Sequence, residues 1–268
     1  MAKPAAKKAT KKPAKTGIDT RIARLEKLLS QIDAKAQSSK DRAEVENVFA
    51  QYMYLHNAFR DSEIIDLWAA KGTPGIRAQY SNNGVYTNWD SITYYHRDRP
   101  APKGKLILHF LTTPMIEVAG DGKTAKGLWI AAGIESGLTD PEVAKQAPDF
   151  MYGPELVEGK RVWQHTVYLK YGIDFLKQDG RWKIWHFHCF ECARSPFHLG
   201  WIPFASKAQN DPFNYDLMYF GEDGRPVFMP KPDGPATIFM NPYRTDTSQV
   251  LDAKPPVPYK TFSETFEY

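Results

Sequence analysis

Residues 106–118 read Leu106-Ile107-Leu108-His109-Phe110-Leu111-Thr112-Thr113-Pro114-Met115-Ile116-Glu117-Val118, and a second apolar run follows over residues 124–136 after Gly120-Asp121-Gly122. Apolar and β-branched residues dominate both runs and the glycine pair is a tight-turn signal, so the stretch predicts an antiparallel hairpin. The same texture returns downstream, with a long strand over residues 162–176, a turn at Gln178-Asp179-Gly180 and a strand over residues 182–191. Upstream the period changes. Ile18, Ile22, Leu25, Leu28, Leu29 and Ile32 recur every three or four residues, which predicts one amphipathic helix to about residue 37. Val45, Val48, Phe49, Tyr52, Met53, Leu55 and His56 predict a second helix over residues 41–59, and residues 63–70 a short third, closed by Lys71-Gly72. After a turn at Asn83-Gly84, residues 89–95 suit another short helix. Helices first and antiparallel strands afterwards indicate an α+β fold, a curved antiparallel sheet wrapped on N-terminal helices, rather than parallel α/β.

A chain of 268 residues with 42% hydrophobic side chains has material for one substantial core plus an extension. Two cysteines cannot make a disulfide framework, and no apolar run approaches the roughly 20 residues of a membrane helix. With no hydrophobic leader, a cytoplasmic protein without a membrane partner is expected. The formal charge of +4 is confined to one end: six of the 35 Lys+Arg lie in residues 1–16, leaving 29 against 31 Asp+Glu elsewhere. That Lys/Ala/Pro tail is expected to be disordered and solubilising, with no specific nucleic-acid partner. Beyond Ala193 come eleven of the 20 prolines, together with Trp201, Phe204, Phe213, Tyr215, Tyr219 and Phe228. Such aromatic density predicts an extended arm packed over its own domain or a partner subunit, in a homo-oligomer, dimer or trimer. The division expected is a tail (1–16), an N-terminal helix (17–40), an α+β domain (41–192) and the arm (193–268).

Val48-Phe49-Ala50-Gln51-Tyr52, His109-Phe110-Leu111-Thr112-Thr113-Pro114 and Gly180-Arg181-Trp182-Lys183-Ile184 resemble the SnoaL-like branch of the nuclear-transport-factor-2-like superfamily over roughly 150 residues. The resemblance implies a cone with a pocket between a curved sheet and its helices. It also implies cofactor-free chemistry by acid and base residues in an aromatic pocket, as in scytalone dehydratase and bile-acid dehydratase. The family's strand histidine falls on His109, its helix tyrosine on Tyr52, and a second pocket tyrosine on Tyr80. Its helix aspartate, about five residues after the tyrosine, has no counterpart, because His56-Asn57 stand there. The aromatic arm and the histidine-bearing strands also resemble the group of lyases that release formaldehyde from lignin-derived diaryl propanoids to give stilbenes.

The candidate residues follow from this frame and from side-chain chemistry. On an alternating strand His109 shares a face with Ile107 and Leu111, where a neutral imidazole could be a general base or a core histidine tied to a carbonyl. His165 sits between Trp163 and Val167 on its own face, while His186 and His188 share one with Trp182 and Ile184. Their convergence would build a proton relay or, with Glu135 or Glu191, a metal site; pocket polarity is preferred and no metal is assigned. Cys189 and Cys192 point to opposite faces of a strand, as buried apolar residues. Tyr52, Tyr80, Trp89 and Trp129 could stack on a flat, oxygenated substrate, and Arg97 or Arg99 could clamp its carboxylate or phenolate. No phosphate loop, dinucleotide fingerprint or Gly-x-Ser-x-Gly is present. The expectation is a cofactor-independent lyase on an aromatic or polycyclic small molecule, eliminating water, formaldehyde or both. His109 would be the base, His56 or His188 the second proton carrier, and Tyr52, Asn57 and Tyr80 the groups holding the phenol or carbonyl. Trp89, Trp129, His165 and Arg97 would complete the substrate site. The alternative is a non-catalytic small-molecule-binding or assembly protein of the same fold.

Overall fold

The expected hairpin is one side of a seven-stranded sheet. The computed structural model describes residues 17–94, 96, 103–210, 217–220, 226–228 and 231–268. Helix α1 (Gly17–Asn57) leads into α2 (Asp61–Ile64) and a 3-10 turn, Ile65–Leu67. Strands β1 (Arg77–Tyr80) and β2 (Val85–Tyr86), helix α3 (Trp89–Tyr94), β3 (Leu106–Val118) and β4 (Thr124–Thr139) follow. Then come α4 (Pro141–Ala144), β5 (Leu156–Val157), β6 (Lys160–Gln178), β7 (Arg181–Pro196) and α5 (Trp201–Asn210), with a small hairpin of β8 (Leu217–Phe220) and β9 (Pro226–Phe228). The sheet order is β2-β1-β7-β6-β4-β3, with β5 beside β6. All its pairs are antiparallel except β1 with β7.

The two helices expected over residues 18–59 are one. Gln37-Ser38-Ser39-Lys40 holds no glycine or proline to break the helix, so the change of apolar pattern there is not a break of the backbone. By contact the chain divides at Lys40/Asp41. Residues 17–40 are exposed throughout, whereas from Asp41 onward one helical face, Val45, Phe49, Tyr52, Met53 and His56, is buried. Phe49 and Tyr52 pack on Trp129, Tyr171 and Phe187 of the sheet, and this is the centre of the main core.

One irregularity in β7 decides which histidines face that core. Asp174 pairs with His186 but Phe175 pairs with Ile184, so Trp185 is an extra residue, a β-bulge. Before it Trp182 and Ile184 face α1; after it Phe187 does, and His186 and His188 turn to the opposite face. Strict alternation put His186 and His188 with Trp182 and Ile184, and the bulge overturns that. Nor does His165 join them, since its ring lies against Trp163 and Phe204.

The face turned away from α1 is covered by the end of this same chain. Gln79 binds the backbone of Thr237 and Ile238, Asn82 that of Met240, and Asp233 caps the backbone of Thr87 and Asn88. Lys126 is wholly buried there, its Nζ donating to Asp174 Oδ1 (2.5 Å) and to the Phe266 carbonyl, with the Phe266 and Tyr268 rings each 4.4 Å away. Asp174 Oδ2 accepts from His186 Nδ1 (2.8 Å) and from the Tyr268 backbone N–H (3.0 Å). The arm is therefore laid on its own domain, and α5 is a helix within it that its proline content concealed. The expected tail and the positions Arg97, Arg99, Phe213 and Tyr215 lie outside the described residues, as do the side chains of Tyr219 and Phe228. Among the described residues no helix is long and apolar enough to cross a membrane.

Two buried imidazoles set an acid limit on this architecture. Burial pushes His165 and His188 down to about 3, Arg194 adding to the shift of the first and Arg77 to that of the second. Both stay neutral in the folded chain where the unfolded chain, with histidines near 6.5, takes up protons. Stability is therefore complete above about pH 6.5 and declines as pH falls toward 3, by up to about 1.4 kcal/mol per pH unit for each histidine. Thermal melts across that window should show a falling midpoint, with a shallower slope for His188→Gln.

Candidate active site

The site begins where α1 stops. Phe59 adopts φ +56°, and the Arg60 N–H donates to the Leu55 carbonyl (2.9 Å), a helix end of the Schellman type with a non-glycine residue in the left-handed position. This reversal brings Asp61, the first residue of α2, back onto the last turn of α1. His56 Nδ1 donates to Asp61 Oδ1 at 2.8 Å, and both side chains are buried. His96 Nδ1 lies 3.8 Å from the same oxygen, too far for a hydrogen bond but close enough for charge to act. Tyr52, one turn before His56, lies parallel to that imidazole at 6.0 Å and edge-on to His96 at 5.7 Å.

A second histidine–carboxylate pair faces the first from the sheet. His109 lies on β3 opposite Gly133 of β4, where a Cβ would stand 2.2 Å from the imidazole Cδ2. The ring needs that glycine in order to lie flat on β4. His109 Nε2 meets Glu135 Oε1 at 3.0 Å, and Glu135 Oε2 accepts from Arg194 Nη1 at 2.8 Å. Arg194 is held in turn by Glu191 (Nη2 to Oε2, 2.9 Å). Burial works to raise the Glu135 carboxyl, but Arg194 and His109 outweigh it and hold the group well below the usual carboxylate range. An ionised Glu135 only accepts, so His109 must carry its proton on Nε2. Nδ1 is then the bare nitrogen, and among the described residues it is buried without a hydrogen-bond partner. The His56 and His109 rings lie 5.6 Å apart, centroid to centroid.

Of the residues singled out in the sequence, His109, His56 and Tyr52 are brought together. Tyr80 reaches the group through Phe187, which it contacts at 5.5 Å and Tyr52 at 5.3 Å. Asn57 is a clamp rather than a substrate contact: Nδ2 donates to the His109 carbonyl (2.9 Å) and Oδ1 accepts the His109 N–H (3.0 Å). Its amide is committed to placing β3 against α1. Trp129 is core, packed 4.5 Å from Phe49 and 6.2 Å from Phe175, and Trp89 is half-buried against the same core. His165 is bound to the Met151 carbonyl (3.2 Å) in the smaller apolar cluster of Met151, Tyr152 and Phe204. His188 stacks 3.7 Å from Phe190 on the far face of the sheet, so it is not among the residues brought together around His109. Arg97 lies outside the described residues.

Four participants were not read from the sequence as parts of this site. Asp61 lies in Arg60-Asp61-Ser62, where helical periodicity fades, and only the turn at Phe59 makes it a neighbour of His56. Glu135 was weighed only as a metal ligand, and His96 and Arg194 not at all. A pointer to Glu135 was present: two residues past the partner of His109 in a hairpin lies a diagonal neighbour on the same face.

Gly133→Ala should displace the His109 ring, cutting any activity that depends on it. The added methyl would also stand 2.9 Å from the Leu108 carbonyl, so the variant should be less stable by about 1–3 kcal/mol. Urea unfolding and activity measured together check both effects.

A family model for a SnoaL-like domain matches residues 37–188. No curated protein matches the chain. Among solved structures, a protein from Novosphingobium aromaticivorans assigned as a scytalone dehydratase is 14% identical with a TM-score of 0.45, over 62% of this chain and 94% of its own. The hexachlorocyclohexane dehydrochlorinase LinA-type3 from Novosphingobium barchaimii is 12% identical with a TM-score of 0.44, over 61% and 94%. The Kfla4162 protein from Kribbella flavida is 13% identical with a TM-score of 0.43, over 59% and 94%.

Proposed function

The chain belongs to the SnoaL-like domain family, and from that premise we propose that it is a lyase that eliminates water, formaldehyde or both from an aromatic small molecule without a cofactor. The observation that carries this reading is the facing of two histidine–carboxylate pairs, His109–Glu135 and His56–Asp61, with ring centroids 5.6 Å apart. His109 Nδ1 is the base: it takes a proton from carbon or from a hydroxyl of the substrate, and Glu135 stabilises the imidazolium formed. His56 is the second proton carrier: as an imidazolium, with its Nδ1–H held by Asp61, it gives the proton on Nε2 to the departing hydroxyl, which leaves as water. Where the proton comes from a terminal hydroxymethyl group, the adjacent carbon–carbon bond breaks and formaldehyde leaves. The electron pair of that bond then expels a neighbouring hydroxyl as water, giving a conjugated product such as a stilbene from a diaryl propanoid.

Tyr52 lies against His56 and His96, and Phe187 joins it to Trp68 and Tyr80, an aromatic cluster beside the imidazoles whose ring faces and edges suit a flat aromatic substrate. The competing reading, a binding or assembly protein, drew its support from the missing helix aspartate. Asp61, reached through the turn at Phe59, supplies a carboxylate to the helix histidine by another route.

Purified chain, with and without chelator, incubated with hydroxylated aromatics including diaryl propanediols and followed by mass spectrometry and ultraviolet absorbance, tests the proposal. A conjugated product lighter by water, or by water and formaldehyde, is expected and identifies the leaving group. Binding of panel members with no conversion of any would favour the binding protein.

A further inference from the structure

Residues 17–40 of α1 are exposed on every side, yet they carry six large apolar residues, between 44% (Leu28) and 70% (Ile18) exposed. Five of these, followed by Ala36, fall on one stripe: Ile18, Ile22, Leu25, Leu29, Ile32, Ala36, in steps of four and three. This is the a/d repeat of a coiled coil, with Ile22, Leu29 and Ala36 at a and Ile18, Leu25 and Ile32 at d. The buried stripe of residues 41–56 is out of phase with it by about half a turn at 3.6 residues per turn, so the two patterns serve different partners. Helices in proteins draw most of their stability from covering an apolar face rather than from propensity, and this face is left uncovered within the chain.

The charges beside the stripe say what covers it. The e positions are Asp19, Glu26 and Asp33, all acidic, and the g positions are Arg21, Leu28 and Lys35. In an antiparallel pair of such helices e would meet e, acid against acid, and g would meet g. In a parallel arrangement Arg21 meets Glu26 of the partner subunit, and Leu28 at g adds apolar cover; the like-charged Lys35 and the partner subunit's Lys40 meet only beyond the stripe. Two of three d positions are Ile, and Leu occupies one a position, a pattern that shifts preference above two strands.

We propose that residues 18–36 form a parallel, three-stranded coiled coil with the same segment of two further copies of this chain. The test is the mass in solution, by light scattering, of the full-length chain and of a variant carrying Leu25→Glu and Leu29→Glu. Both residues are exposed and lie outside the α+β domain, so that domain's melting should be unchanged. The proposal expects three times the chain mass of 30.5 kDa for the wild type and a loss of that species in the variant. A monomeric wild type, or a variant that keeps the trimer mass, overturns it. Orientation is read separately with Ile32→Cys. Parallel strands place the new thiols side by side, and mild oxidation should give a disulfide-linked dimer absent from the wild type. In an antiparallel pair centred on the stripe the thiols would stand about 15 Å apart, so failure to cross-link overturns the parallel arrangement.

Discussion

Replacing His109 by alanine should lower turnover by about 10²–10⁴-fold while leaving the affinity for the same aromatic compounds nearly unchanged. The imidazole touches Glu135 through Nε2, its Nδ1 is buried without a hydrogen-bond partner among the described residues, and its ring lies 5.6 Å from that of His56, so its removal takes away the proposed proton acceptor. The aromatic cluster of Tyr52, Phe187, Trp68 and Tyr80 stays in place. Single-turnover rates and calorimetric titrations of both proteins separate the two effects. An equal loss of affinity and rate would make His109 a binding residue. A variant with full turnover would remove it from the chemistry altogether.

The largest effect on stability is expected from Asp174→Ala. Asp174 and Lys126 are both wholly buried, and the carboxylate also accepts from His186 and from the backbone of Tyr268. Burial already pushes the Lys126 amine down from its usual value, with Asp174 opposing that shift. Without Asp174 the amine must stay charged in an apolar cage or give up its proton, and two further donors lose their acceptor. Breaking a buried pair from one side costs about 3–5 kcal/mol, which corresponds to roughly 10 °C or more of melting temperature for a chain of this size. Replacing both partners together, Lys126→Met with Asp174→Leu, should cost clearly less, because no charge is stranded. A single variant that melts with the wild type would mean that the arm's seal on the sheet does not depend on this pair.

The parts of the fold legible in the sequence were those governed by local rules. The hairpin of β3 and β4 follows from a glycine turn between two strand-forming runs, and β3 begins and ends at the residues expected. Tyr52 and His56 lie one turn apart on a helix, so their shared face was readable. What could not be read depends on single backbone events. The bulge at Trp185 exchanges the two faces of β7 and sends His186 and His188 away from His56 and His109. The left-handed Phe59 turns the chain so that Asp61 reaches His56. Asn57 looked like a polar pocket residue because only the tertiary structure shows its amide committed to the backbone of His109. Glu135 and Arg194 were hidden for another reason: their pairing joins β4 to β7 across β6, and strand order is not written in either strand.

Chemical rescue tests the central claim most directly. His109→Gly removes the imidazole and leaves a space of its size beside Glu135. If His109 is the base, turnover of the variant should return when free imidazole is added, should saturate with its concentration, and should rise with basicity across a set of substituted imidazoles of similar size. A folded variant that binds the substrate and stays inactive at every imidazole concentration, or one that turns over at the wild-type rate without any, would contradict the account.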